Sequence, residues 1–270
     1  MPVDHYENFP VASLFLPRRL RRPVELIYEF ARQADDFADE GNWPAAERLA
    51  RLNGFRTELD KIAAGKPADS GLFHDLASVI SEHALPLQLF YDLLDAFSQD
   101  VVKTRYANFG EVMDYCRRSA NPVGQLLLHL YKETDARSIA YSDAICSSLQ
   151  LINFLQDVAV DFTKGRIYLP QDEMTRYGID ETRIHRGDAS GLWQPFMQFQ
   201  IERTRKLLQA GAPLGKILRG RIGLEMRMII MGGEAILRKL HKHSGDIFQH
   251  RPVLGPSDWV YMFYRAARAK

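Results

Sequence analysis

At 270 residues, with 46% hydrophobic and 26% charged side chains, the chain can bury a sizeable core and has a globular composition. A formal net charge of +1 supplies no whole-molecule field to gather nucleic acid, so no nucleic-acid partner is expected. Two cysteines, Cys116 and Cys146, lie far apart without metal-ligand spacing; reduced thiols in a cytoplasmic compartment are the default. Met1-Pro2-Val3-Asp4-His5 lacks the basic start and apolar run of a signal peptide. Nor does any stretch approach the roughly twenty uninterrupted apolar residues of a membrane span.

Apolar periodicity is helical nearly throughout, with proline and glycine falling between the periodic segments. The run Leu16-Pro17-Arg18-Arg19-Leu20-Arg21-Arg22 reads as a solvated loop, with a membrane-surface role as the alternative. Pro23 suits the first turn of a helix whose stripe is Val24, Ile27, Tyr28, Ala31 and Ala34. Gly41 and Pro44 end it. Further helices are predicted over 45–64, 71–84, 86–99, 109–120 and 123–131, then a long one over 138–162. The stretch 165–191 is the least regular, and helices resume over 194–210, 213–231, 234–243 and 258–267. One all-α domain over 1–270 is expected.

Two acidic patterns interrupt this apolar design. Asp35 and Asp39 stack four residues apart with Asp36 beside them; Asn153, Asp157 and Asp161 recur every fourth residue. Carboxylates beside a core are costly unless something cationic pairs with them. Magnesium takes oxygen ligands, keeps waters, and is commonly held by one or two carboxylates plus a substrate phosphate. Two such faces together suit several ions around a diphosphate, where Lewis-acid chemistry assists ionisation. Arg32, three residues before Asp35, and Lys164 and Arg166, just after Asp161, would complete the grip. The plainer alternative is two solvated faces. It weakens for the second set, because Asn153 and Asp157 sit among Leu149, Leu151, Ile152, Phe154, Leu155, Val158 and Val160. A di-iron bundle would need Glu-x-x-His pairs, and the sequence has none.

Three stretches in this order resemble the squalene and phytoene synthase family of head-to-head prenyl transferases. They are Ile27–Asp39, Tyr115–Gly124 and Gln150–Asp161, the last followed by Gly165-Arg166-Ile167-Tyr168-Leu169-Pro170. The resemblance extends from Phe9-Pro10-Val11-Ala12-Ser13 to about Phe248. It implies an isoprenoid-synthase helical bundle around a central cavity, with two aspartate helices facing each other across magnesium and a prenyl diphosphate. On that basis Asp35, Asp36, Asp39, Asn153, Asp157 and Asp161 are metal ligands, Arg32 and Gln150 contact the substrate end, and Tyr115 lies near the reacting carbons.

Two positions depart from the family pattern. Gln156 stands where arginine is usual, and Asn121 where glycine is usual. A permanent cation is thereby lost beside the diphosphate, and an amide is introduced that can bind water. Both departures, with the opening Asp4–Ser13, resemble the bacterial hydroxysqualene synthase branch. That branch ionises presqualene diphosphate and captures the rearranged cation with water, without NADPH, in squalene or hopanoid biosynthesis. Asn121, with Gln156, is the candidate for ordering that water. The rival is condensation of two prenyl diphosphates; a non-catalytic assembly partner is the alternative of another class. A condensing synthase of the same pathway is a candidate partner, and peripheral contact at the inner membrane surface a candidate location. Phe30, Phe37, Phe109, Phe154 and Tyr28 read as core aromatics first and as cavity walls second. The stretch Trp259–Arg265 reads first as docked on the protein, with membrane contact again the alternative.

Overall fold

The computed structural model describes residues 16–69 and 71–268, so the opening Asp4–Ser13 stretch lies outside the described residues. Among the described residues there are fourteen helices and no strand; a lone parallel bridge joins Arg105 to Ile167. The all-α expectation is borne out. In chain order the helices are α1 (Arg18–Asp39), α2 (Ala45–Ala63), α3 (Gly71–His83), α4 (Leu87–Val102), α5 (Phe109–Ser119), α6 (Asn121–Tyr131) and α7 (Ala136–Gln156). There follow α8 (Val158–Thr163), α9 (Gln171–Arg176), α10 (Glu181–Arg186), α11 (Trp193–Gly211), α12 (Leu214–Ile217), α13 (Gly220–Lys242) and α14 (Pro256–Arg268). They group into two compact units, 16–103 with Arg117–Ile139, and Thr104–Cys116 with 140–268.

In the first unit α1 packs against α2, α3, α4 and α6. Phe30 is fully buried, with its ring 5.2 Å from Phe90 and 5.9 Å from Phe73, both edge-on. Such pairs add about 0.5–1.5 kcal/mol beyond burial itself, which makes Phe30 a core residue. Phe37 packs on Phe55, and Arg51 lies 3.8 Å above the Trp43 ring. The basic run at Arg18–Arg22 is helix, not loop. Leu20, 2% exposed, turns inward and anchors this end of α1, while Arg18, Arg19 and Arg22 stay in water. Pro23 therefore sits inside α1, where the carbonyl it leaves unpaired belongs to exposed Arg19.

In the second unit α13 runs unbroken through Gly232 and Gly233, where a break was expected. Helix contact explains it. A Cβ on Gly233 would meet Leu208 at 3.0 Å and Ile152 at 3.2 Å, so the glycine permits close packing rather than ending the helix. The stretch 165–191 holds α9 and α10. Asp180 caps α10 by accepting from the Arg183 amide at 2.8 Å. Arg105 anchors the same stretch through Glu181 at 2.7 Å and the Gly165 carbonyl at 2.6 Å. Arg203 lies 3.4 Å above the Phe109 ring and is held by Glu173 and Gln200. Neither cysteine is in a disulfide, and burial pushes the Cys116 thiol up to about 12, so it stays protonated and unreactive.

Gly211 ends α11 against α7. A Cβ there would lie 2.6 Å from the Tyr141 carbonyl oxygen and 2.6 Å from Ile145. Alanine gains up to about 1 kcal/mol of helix propensity over glycine, whereas overpacking against backbone costs about 1–3 kcal/mol. The clash wins: Gly211→Ala should lower the urea midpoint of unfolding, by about 1 kcal/mol or more in free energy.

Candidate active site

The first acidic group lies on one face of α1, as its spacing predicts. Arg32 reaches Asp36 at 2.7 Å, Asp35 at 3.5 Å and, beyond the predicted set, Glu40 at 2.8 Å. One guanidinium thus serves three carboxylates, while its Nε is buried without a hydrogen bond. Asp35 keeps 39% of its side-chain surface accessible, yet surrounding atoms crowd it enough to strip much of its hydration. That loss of hydration, then the nearby charge of Asp39, raises its pKa to about 7 against the opposing pull of Arg32; Asp100 and Asp36 push the same way. Asp100, 6% exposed near the end of α4, was not singled out from the sequence. Its signal was an acid set among Phe97, Val101 and Val102.

The second group departs from the expected continuous helix. α7 stops at Gln156, Asp157 takes φ −107° and ψ 12°, and α8 begins at Val158. The turn of chain is nevertheless kept: the Asp157 amide donates to the Asn153 carbonyl at 2.9 Å, and the Asp161 amide to the Asp157 carbonyl at 2.7 Å. Leu151, Ile152, Phe154 and Leu155 are buried while Asn153 is exposed, so the apolar neighbours face away from the polar ones. Gln150 is half-buried three residues before Asn153. Exposed Lys164 and half-buried Arg166 follow Asp161, and both their amides donate to its carbonyl, at 3.0 and 2.9 Å.

Sequence reasoning missed Arg251. Its Nε donates to Asp157 Oδ1 at 2.7 Å, from the loop between α13 and α14. The family resemblance ended near Phe248, just short of it. The same loop is held by Gln156, 1% exposed, whose Nε2 donates to the Pro252 carbonyl at 2.7 Å. That amide group is therefore committed to backbone. Asn121 is 6% exposed and opens α6.

Tyr115, 4% exposed, belongs to a cluster of four rings with Tyr106, Phe154 and Tyr168. Phe154 and Tyr168 stack at 3.9 Å with their planes 4° apart. A cavity of about 10 Å³ beside them, lined by Phe109, Leu151, Phe154, Tyr168 and Arg203, has room for a water molecule but not for an isoprenoid chain.

The donor sets fit a hard cation: they are carboxylate and amide oxygens, and beside the loss of hydration, which is the larger cause of the raised Asp35 pKa, stands the repulsion from Asp39, Asp100 and Asp36, which a divalent ion would relieve. Among the described residues no three His, Cys, Asp or Glu side chains form a ready metal cage. Magnesium does not require one, since phosphate and water commonly complete its shell.

The squalene/phytoene synthase family model matches residues 3–258. The chain belongs to the squalene/phytoene synthase family. A hydroxysqualene synthase of Zymomonas mobilis is 35% identical over 241 residues, covering 88% of this chain and 80% of the relative. Another, of Rhodopseudomonas palustris, is 34% identical over 262 residues, covering 96% and 87%. The crystal structure of the squalene synthase HpnC from Alicyclobacillus acidocaldarius aligns with a TM-score of 0.82 at 33% identity, covering 89% of this chain and 90% of that one. The resemblance read from the three motifs is borne out, and this member of the squalene/phytoene synthase family is an enzyme.

Asp35 gives a direct test of the first acidic group. Its folded pKa exceeds the ordinary 3.8, so the folded chain holds a proton that the unfolded chain releases. Its contribution to stability is therefore present below about pH 4 and declines as pH rises through 4 to 7. In metal-free protein, carboxyl NMR should find Asp35 titrating near 7, and Asp39→Asn should move that midpoint down.

Proposed function

We propose that this synthase converts presqualene diphosphate and water to hydroxysqualene and diphosphate. One observation carries the reading: hydroxysqualene synthases are 33–35% identical over most of the chain. The carbon–oxygen bond to diphosphate breaks with its electron pair leaving on the diphosphate. The cyclopropylcarbinyl cation rearranges, water adds its oxygen to the cationic carbon, and a proton is lost. No electron donor is needed, so NADPH has no part. The work would be done in the cytoplasm, on a chain acting as one domain.

Asp35, Asp36, Asp39, Asn153, Asp157 and Asp161 are the residues that would hold magnesium. Magnesium supplies charge neutralisation for the departing diphosphate. Arg32 binds and orients the diphosphate, with Gln150, Lys164 and Arg166 in support and Arg251 added from the C-terminal loop. Tyr115, fixed by its three neighbouring rings, presents an aromatic surface suited to carbocations. Asn121 orders the quenching water through its amide. Gln156 serves less directly, since its bond to Pro252 holds the loop that carries Arg251 beside Asp157.

The test is product analysis from presqualene diphosphate with and without magnesium. Hydroxysqualene and diphosphate should form only with the metal, and Asp36→Asn or Asp157→Asn should slow turnover by at least about a hundredfold. One observation favours the condensing rival: the solved structure at 33% identity is named a squalene synthase. Turnover of farnesyl diphosphate but not presqualene diphosphate would establish that rival instead.

Asn121→Gly tests the water role separately. Loss of one hydrogen bond to the quenching water should slow hydroxysqualene formation by about tenfold, or divert the cation to other products. An unchanged rate with hydroxysqualene as sole product would end that assignment.

A further inference from the structure

α14 has two apolar faces. Met262 and Ala266, 1% and 0% exposed, dock on α13, and Arg227 Nε donates to the Ala266 carbonyl at 2.9 Å. Docking on α13 thus accounts for the side that carries Met262 and Ala266. On the other side Val260 is 72% exposed, Tyr264 53%, Tyr261 49% and Phe263 48%. At about 100° per residue these four fall on one arc, opposite Met262 and Ala266. Surface helices ordinarily give that arc to polar side chains.

The charges are as uneven as the apolar groups. Exposed Arg265 lies at one edge of the arc and exposed Arg268 within it, 5.9 Å from the Tyr261 ring and 4.5 Å from the Tyr264 ring. The acid of α14, Asp258, is paired with Lys239 of α13 and caps the Gly255 amide. The outer arc is therefore aromatic and cationic. We propose that it is a docking surface for an anionic lipid bilayer, with the rings at the boundary between headgroups and acyl chains and the two arginines on lipid phosphates.

Tyrosine and arginine suit that boundary because each has an apolar body and a polar end that reaches water. With 13 residues α14 is about 20 Å long, too short to span a bilayer, and no described helix is long and apolar enough to cross one. It would lie in the plane of the surface. A second copy is the poorer occupant, because a two-fold pairing of this arc would offer its two arginines no spare carboxylate, the acid of α14 being paired with Lys239. The inference does not depend on which prenyl diphosphate reaction the enzyme performs, and its readout is binding, not turnover.

Co-sedimentation of the full chain with phosphatidylglycerol vesicles and with phosphatidylcholine vesicles tests it. Binding should favour phosphatidylglycerol and weaken with salt. Replacing Tyr261, Phe263 and Tyr264 together by serine should weaken it by at least about a hundredfold, with the thermal midpoint kept because these side chains are exposed. Arg265→Glu with Arg268→Glu should cost at least about tenfold. Should the triple variant fail to fold, Val260→Asp alone must still reduce binding. Absence of binding to phosphatidylglycerol, equal binding to both lipids, or full binding by the variants would overturn the proposal. So would a dimer that the triple variant converts to monomer without any vesicle binding.

Discussion

Carboxylates that crowd one another are the constraint on which the candidate site depends. Four acids, Asp35, Asp36, Asp39 and Asp100, act on the same small region, and Arg32 is the cation that partners two of them by direct contact. A protein tuned for stability alone would not keep such an arrangement, because each added like charge raises the cost of ionising the rest. The fold tolerates it by building a rigid platform beneath. Phe30 and its ring partners, with Leu26, Ile27 and Ala34, pin α1 from the opposite face, so the acids cannot simply swing apart.

A different solution appears around Asp157. Here one acid is already met by an arginine, Arg251, and the loop carrying it is tied down by the buried Gln156 amide. The residue that departs from the family pattern is thus part of the structure next to the acid. The guanidinium expected at the Gln156 position is not lost from the neighbourhood; one is supplied from elsewhere in the chain. Tyr115, Phe154 and Tyr168 stand beside this segment as a packed aromatic group whose positions leave little freedom.

Much of this was legible in the sequence, because helical period and acid spacing are local properties. The face shared by Arg32, Asp35 and Asp36 and most helix boundaries follow from them. What was not legible depended on distant residues. Asp100 and Arg251 come from separate helices and loops, and nothing local marks their approach. Gly232-Gly233 looked like a break because glycine weakens an isolated helix, but contact with Leu208 and Ile152 selects it there. Asn153 looked buried from its apolar neighbours, although at about 100° per residue Leu151 and Leu155 lie on the opposite side of the helix. The interruption at Asp157 has no proline or glycine to announce it.

That interruption carries a consequence for how such a chain can vary. The amide-to-carbonyl links from Asn153 through Asp157 to Asp161 preserve a fixed angular phase across the bend. Insertion or deletion of one residue anywhere between them would rotate everything downstream by about 100° and carry Asp161 round the axis. Exchanging one side chain along this segment alters one contact, whereas changing its length breaks the register of all the acids together.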